Sequence, residues 1–226
     1  MTVIQQWFSQ HFLWIVLAVS ALLSWLWLLN FRKRLAISGL TAFGLSVVHT
    51  VVGVLSVKIF AFLEGVPDGM SLYGAIFFLP VLYFLGAKLS KRRLSEVFDV
   101  FTICIILAMF MARFNCLRSG CCLGKVVPWY DSFRWPTREI EMILYVVLAV
   151  WLGRNILKNK THGTAYPIYM MTYGTFRFIV EFFRENNVLW GAFHVSHIWS
   201  VISVVAGAAA YIIISRRSCT TGNIKK

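Results

Sequence analysis

Seven long apolar runs, separated by short clusters of lysine and arginine, decide what this 226-residue chain can fold into. The hydrocarbon layer of a bilayer is about 30 Å thick and a helix rises about 1.5 Å per residue, so a span needs about 20 mostly apolar residues. The runs that serve, with room for tilt, are Phe12–Phe31, Ala36–Leu63, Ser71–Ala87, Val97–Leu117, Glu139–Leu157, Thr164–Phe183 and His194–Ser215. The expected fold is therefore all-α: a polytopic membrane protein with seven transmembrane helices, forming a single domain over residues 1–226. Composition excludes the soluble alternative. Charged residues are 14% of the chain and hydrophobic ones 59%, whereas a soluble domain carries about 25% charged residues to cover its surface. No lysine or arginine precedes Phe12, so the first run reads as a span and not as a cleaved leader.

The basic residues then give the orientation. Arg32, Lys33 and Arg34, then Lys88, Lys91, Arg92 and Arg93, then Arg154, Lys158 and Lys160, and finally Arg216, Arg217, Lys225 and Lys226 fall at alternate junctions. These fourteen mark one side, while the loop after the second run has none and carries Glu64 and Asp68. Short loops rich in lysine and arginine stay cytoplasmic, so the N-terminus is expected outside and the C-terminus inside. The same clustering explains the net charge of +13 through topology and anionic lipid, and nucleic acid is not an expected partner. Arg118, Lys125, Arg134, Arg138 and Arg184 run against this tendency by falling on the outer side. The connection between Arg118 and Arg138 contains Gly120, Gly124, Pro128 and Pro136, which exclude a regular helix, and Trp129, Tyr130, Phe133 and Trp135 suit the headgroup layer.

The fourth and sixth runs stand out because each contains an arginine. In the sixth, Tyr173, Arg177 and Glu181 are spaced four apart and Arg184 follows, so the four share one helix face. Arg113 of the fourth run reaches a similar depth near the outer surface. Two buried guanidiniums need partners, because a charge within a span costs a few kcal/mol. Glu141 and Glu181 are available as partners, and so is a ligand phosphate, whose oxygens the planar guanidinium fork matches. Pairing that merely fixes helix register and a phosphate-reading pocket are both open on the residues alone. Cys116, Cys121 and Cys122 cluster after the fourth run, but their Cys-x4-Cys-Cys spacing lacks the paired pattern of structural zinc sites and no Cys-x-x-Cys is present. They read as small structural residues, with no metal expected.

Four segments, in matching order from about Gly69 onward, resemble the prolipoprotein diacylglyceryl transferase family. Arg113-Phe-Asn-Cys116-Leu-Arg-Ser-Gly120-Cys121-Cys122-Leu-Gly124-Lys is similar to that family's Arg-x-Gly-Cys-Phe-x-x-Gly-Cys-Cys-x-Gly-Lys segment. Arg134-Trp-Pro-Thr-Arg138-Glu-Ile-Glu141 echoes its Arg-His-Pro-x-Gln-x-x-Glu block. Tyr173-Gly-Thr-Phe-Arg177-Phe-Ile-Val-Glu181-Phe-Phe-Arg184 resembles its most recognisable helix, and Gly69-Met-Ser-Leu-Tyr73-Gly resembles its Gly-Met-Ser-x-His-Gly. Departures are Tyr73 for the family's histidine, Asn115 for a glycine, and Trp135 and Arg138 for the histidine and glutamine of the second block.

The resemblance implies a cofactor-free enzyme of the bacterial cytoplasmic membrane. Such an enzyme moves the diacylglyceryl group of phosphatidylglycerol onto the lipobox cysteine thiol of a prolipoprotein signal peptide and releases glycerol phosphate. It implies Arg113, Arg177, Tyr73 and Glu181 as catalytic residues. Arg113, Arg177, Tyr173, Arg134, Arg138, Arg184, Gly120 and Gly124 are implied around the phospholipid. Tyr73 would stand where the family has a candidate base, although a free phenol titrates near 10; His194 or His197 could serve instead. Rival readings are a membrane thiol oxidoreductase using Cys121 and Cys122, and a non-catalytic paralogue that binds anionic lipid.

Overall fold

Every one of the apolar runs is helical in a computed structural model of the chain, which describes residues 3–65, 69–185 and 193–223. The helices are α1 (Val3–Asn30), α2 (Gly39–Leu63), α3 (Tyr73–Leu89), α4 (Leu94–Ser119), α5 (Thr137–Leu157), α6 (Ala165–Glu181) and α7 (Val195–Asn223). Between α4 and α5 lies an antiparallel hairpin of β1 (Val126–Val127) and β2 (Tyr130–Arg134). Asp68, one of the two acids of the loop after α2, lies outside the described residues.

The seven helices are not equal as spans. Five have the length and apolar composition to cross a bilayer: residues His11–Asn30 of α1, all of α2, α4 and α5, and residues Val195–Arg217 of α7. Helices α3 and α6 have 17 residues each, a rise of about 25 Å against a hydrocarbon layer of about 30 Å. Helix α6 also carries Arg177 and Glu181, and its inward face is buried among other helices instead of facing lipid. Pro80 sits inside α3, where the helix continues through it. At the far end, α7 runs on to Asn223.

Helix α4 is the hub of the bundle. It packs against α1, α2, α3, α5 and α6, and its apolar stretch from Val100 to Ile106 is almost wholly buried. Helix α6 is held between α4, α5 and α7. One end of α6 is fixed by Asp99 of α4, whose Oδ2 accepts from Thr161 Oγ1 at 2.6 Å and from the Gly163 N–H at 2.7 Å. Its Oδ1 accepts from the Ala165 N–H at 3.1 Å. A carboxylate from another helix thus satisfies N–H groups that α6 cannot satisfy itself, at the end where the helix dipole favours negative charge.

The loops sort into two ends. Arg34, after α1, donates to Asn159 Oδ1 at 2.6 Å and lies 3.7 Å from Glu96, while Arg92 donates to the Ala36 carbonyl at 3.3 Å. The α1–α2, α3–α4 and α5–α6 junctions therefore meet at one end of the bundle. At the other end the α4–α5 connection meets the α6–α7 connection: the Lys125 N–H donates to the Phe183 carbonyl at 2.7 Å, and the Glu185 N–H to the Leu123 carbonyl at 3.0 Å.

Candidate active site

The second of those ends contains a chain of buried ion pairs. Glu141, in the first turns of α5, has one guanidinium on each carboxylate oxygen. Oε2 pairs with Arg113 Nη2 of α4, and Oε1 accepts from Arg177 Nη1 of α6 at 2.6 Å. Arg177 Nη2 reaches Glu181 Oε2 at 2.7 Å, and the same oxygen lies 3.3 Å from Arg184 Nη1. The side chains of Arg113, Glu141, Arg177 and Glu181 are 3, 1, 7 and 0% exposed, so water screens none of them. Three guanidiniums against two carboxylates leave this ladder one positive charge in excess. In addition, Arg113 Nε and Arg184 Nε are buried without a hydrogen-bond partner among the described residues.

Aromatic rings wall the ladder on the side of the bundle centre. Tyr173 stacks on Tyr145 and on Tyr169, and the Tyr145 hydroxyl points to Glu141 Oε2 at 3.5 Å. The Tyr73 ring meets Tyr173 edge-on, but its hydroxyl is turned to α7, 2.6 Å from Ser200 Oγ and 3.3 Å from the Ser196 carbonyl. This phenol is an interhelix tie. His197 is enclosed by Phe178, Phe182 and Phe193, and its Nδ1 accepts the His194 backbone N–H at 2.9 Å. A neutral His197 then carries its proton on Nε2 and has no lone pair left for a substrate. Glu64, at the end of α2, belongs to the same end of the bundle; burial pushes its carboxyl up, with the Arg177 charge opposing.

The turn after α4 completes the site. Gly120 ends α4 in the left-handed conformation at φ 65°, as such helix ends require. Two residues later Cys122 is also left-handed, at φ 58°. Gly124 passes so close to Trp135 that a Cβ would stand 2.1 Å from the Trp135 carbonyl oxygen, and it bridges to Arg184. Arg138 donates to the carbonyls of Cys116 at 3.2 Å and Cys121 at 3.4 Å, and Thr137 Oγ1 donates to the Cys122 carbonyl at 3.4 Å. The sulfur atoms of Cys116, Cys121 and Cys122 all lie within 4.8 Å of one another, and Arg113 Nη1 is 3.8 Å from Cys116 Sγ. Donation from the Cys116 thiol, aided by the Arg113 and Arg177 charges, holds the Cys122 thiol below its ordinary range; burial opposes this.

The fold brings Arg113, Arg177, Glu181, Arg184 and Tyr173 together, with Gly120, Gly124 and Arg138 in the adjoining turn. Arg134 lies on the hairpin at the rim, half-exposed, paired with Glu185 and donating to the Gly124 carbonyl at 3.2 Å. Two acids that the sequence left without a fixed role decide the geometry. Glu141 is the bridge of the ladder, and its place one helical turn into α5, three residues after Arg138, was the available signal. Asp99 gave only a lone carboxylate inside an apolar run.

The family profile described as Prolipoprotein diacylglyceryl transferase matches residues 27–213 of the chain. A phosphatidylglycerol–prolipoprotein diacylglyceryl transferase of Mannheimia succiniciproducens is 30% identical over 170 residues, covering 69% of this chain and 63% of that protein. The protein of the same description from Pasteurella multocida is 31% identical over 140 residues, 58% of this chain and 52% of its own length. That from Lactococcus lactis is 26% identical over 160 residues, 64 and 61% of the two chains. The matched stretch of the chain spans less than two thirds of the length of each of these relatives.

Proposed function

The chain belongs to the prolipoprotein diacylglyceryl transferase family, and we propose that it transfers the diacylglyceryl group of phosphatidylglycerol to the lipobox cysteine thiol of a prolipoprotein. The observation that carries this reading is the buried ladder Arg113–Glu141–Arg177–Glu181–Arg184, in which three guanidiniums meet two carboxylates. A phosphodiester headgroup carries one negative charge, which suits a ladder whose guanidiniums outnumber its carboxylates. When the glyceryl carbon is attacked, the departing phosphate gains a second negative charge, and prealigned guanidiniums stabilise charge that develops in the transition state. In this reading Arg113 and Arg177 hold the phosphate, while Glu141 and Glu181 keep the two forks aligned. Arg184, Arg138 and Arg134 add positive potential toward the rim. Gly120 and Gly124 shape the turn around the headgroup, and Tyr173 walls the pocket.

The same reading includes a single domain of seven spans in the bacterial cytoplasmic membrane, with the N-terminus outside and the ladder near the outer leaflet. The lysines and arginines of the α1–α2, α3–α4 and α5–α6 junctions, which meet at the opposite end of the bundle, support that orientation. The family relatives favour the transferase over a thiol oxidoreductase built on Cys121 and Cys122.

The test is direct. Purified protein, phosphatidylglycerol and a lipobox peptide should yield a peptide carrying the diacylglyceryl mass, and the serine version of the peptide should yield none. Phosphatidylethanolamine should not replace phosphatidylglycerol. A folded protein that binds phosphatidylglycerol but forms no adduct would instead be a non-catalytic lipid-binding member of the family.

A further inference from the structure

We propose that Cys116, Cys121 and Cys122 form a three-thiolate zinc site whose open fourth position takes the thiol to be alkylated. The identity of that thiol rests on the transferase reading above; the metal site itself does not. Linear spacing hides the cluster, and the fold assembles it. Cys116 sits one turn before the end of α4, and the left-handed residues Gly120 and Cys122 fold the chain back, so that both vicinal thiols converge on it. The carbonyls of all three cysteines are fastened by the first two residues of α5, Thr137 and Arg138. The backbone that presents the thiols is therefore fixed before any ion arrives.

The dimensions suit zinc. A Zn–S bond of about 2.3 Å puts tetrahedral sulfur ligands about 3.8 Å apart. The three sulfurs lie within 4.8 Å of one another, so closing on an ion requires shifts of about 1 Å or less. No histidine or carboxylate joins the cluster among the described residues. Three protein ligands and one vacant position is the arrangement of a catalytic zinc site, whereas structural zinc takes four. Cys121 is exposed, and Cys116 and Cys122 are partly so, which leaves that position open to an incoming group. Three thiolates on one zinc ion give a charge of −1, and a fourth gives −2. Arg113 Nη1, 3.8 Å from Cys116 Sγ, adds positive potential beside it.

Such a site supplies a thiolate without a protein base, a role for which only His194, buried with both ring nitrogens unpartnered among the described residues, is otherwise placed. Alkylating a thiol requires its thiolate. The Tyr73 hydroxyl is committed to Ser200 and Ser196, and the His197 lone pair to the His194 N–H. A thiol that binds the ion loses its proton outright, and here the proton passes to water. The bound sulfur then forms a C–S bond to the glyceryl carbon. The C–O bond of that carbon breaks, and its electron pair leaves on the oxygen of glycerol phosphate, beside Arg113 and Arg177. No group is oxidised or reduced.

The experiment uses purified, reduced, metal-depleted protein titrated with Zn(II) and, as a spectroscopic stand-in, Co(II). One ion per chain is expected, with the sulfur-to-cobalt charge-transfer bands of thiolate ligation. Cys116→Ser, Cys121→Ser and Cys122→Ser should each weaken zinc binding at least tenfold. A lipobox peptide should alter the Co(II) spectrum of the unsubstituted protein and its serine version should not, a measurement that needs no variant to fold. Absence of stoichiometric binding, binding unaffected by the serine variants, or a spectrum indifferent to the peptide thiol would overturn the proposal. So would full transferase turnover in metal-free protein, which leaves the transferase reading intact. A Co(II) site that responds to the peptide in a protein forming no lipid adduct would refute that reading and keep the metal site.

Discussion

At the scale of single residues, Glu141 matters more than either arginine it joins. Each arginine has a further partner, Cys116 for Arg113 and Glu181 for Arg177, whereas Glu141 ties α4, α5 and α6 together through its two ion pairs. A buried charge left without its counter-ion costs roughly 3–5 kcal/mol. Glu141→Gln keeps the shape and removes the charge, so we expect a loss of about that size, read by thermal unfolding in detergent, together with loss of activity. A stable, active Glu141→Gln protein would show that the ladder is not held together by this carboxylate. Tyr73 calls for the opposite expectation. Its hydroxyl bonds α7, and Ser200 Oγ keeps its own bond to the Ser196 carbonyl at 2.8 Å when the phenol is gone. Tyr73→Phe should therefore cost about 1 kcal/mol, the net worth of one hydrogen bond, and leave the pH dependence of turnover unchanged. A pH–rate profile displaced in the phenylalanine variant would return Tyr73 to the chemistry.

Among the elements, α6 carries most of the site and is held at both ends by other helices. Asp99→Asn keeps acceptor capacity on one atom but gives up the negative charge and one acceptor at the α6 N-terminus. A cap loss of about 1–2 kcal/mol is expected, with faster amide exchange confined to the neighbourhood of Thr161–Tyr166. Uniformly unchanged exchange would show that α7 alone anchors α6. The difference between what could and could not be read in the sequence follows from the range of the forces involved. Helix positions follow from apolar length, and the shared face of Tyr173, Arg177, Glu181 and Arg184 follows from helical spacing, so both were legible. The unequal spans were less so, because Thr164, Phe182 and Phe183 extend the apolar run of α6 without extending its helix. The hairpin could not be read, since β1 has two residues and is held in place through Lys125 by the Phe183 carbonyl. Nor could the cysteine cluster, which depends on two left-handed residues and on clamps from α5. Asp99 escaped notice because its partners are backbone N–H groups more than sixty residues away.

For the molecule as a whole, the ends of the bundle differ in charge chemistry, and that difference should set its orientation. One end gathers the α1–α2, α3–α4 and α5–α6 junctions, with Arg32, Lys33, Lys88, Lys91, Arg93, Lys158 and Lys160 exposed or largely so. At the other end the arginines are engaged: Arg134 with Glu185, Arg184 with Glu181, Arg138 with Glu139 and two carbonyls, and Arg118 over the Phe12 ring. Lysine and arginine in short loops resist translocation, so the first end is expected to remain cytoplasmic. On the proposed function, the arginines at the ladder end owe their place to the site and not to topology. Reporters fused at Lys91 and Lys158 should therefore read cytoplasmic, and one fused at Lys125 should read external. The Lys125 result decides the matter, because that residue lies in the turn stitched to Phe183 and shares the ladder's side of the membrane. A cytoplasmic Lys125 would place the arginine ladder and the cysteine cluster at the inner leaflet. The phospholipid and the thiol would then have to arrive from the cytoplasm, and the proposed path of both substrates would be wrong even if the chemistry were right.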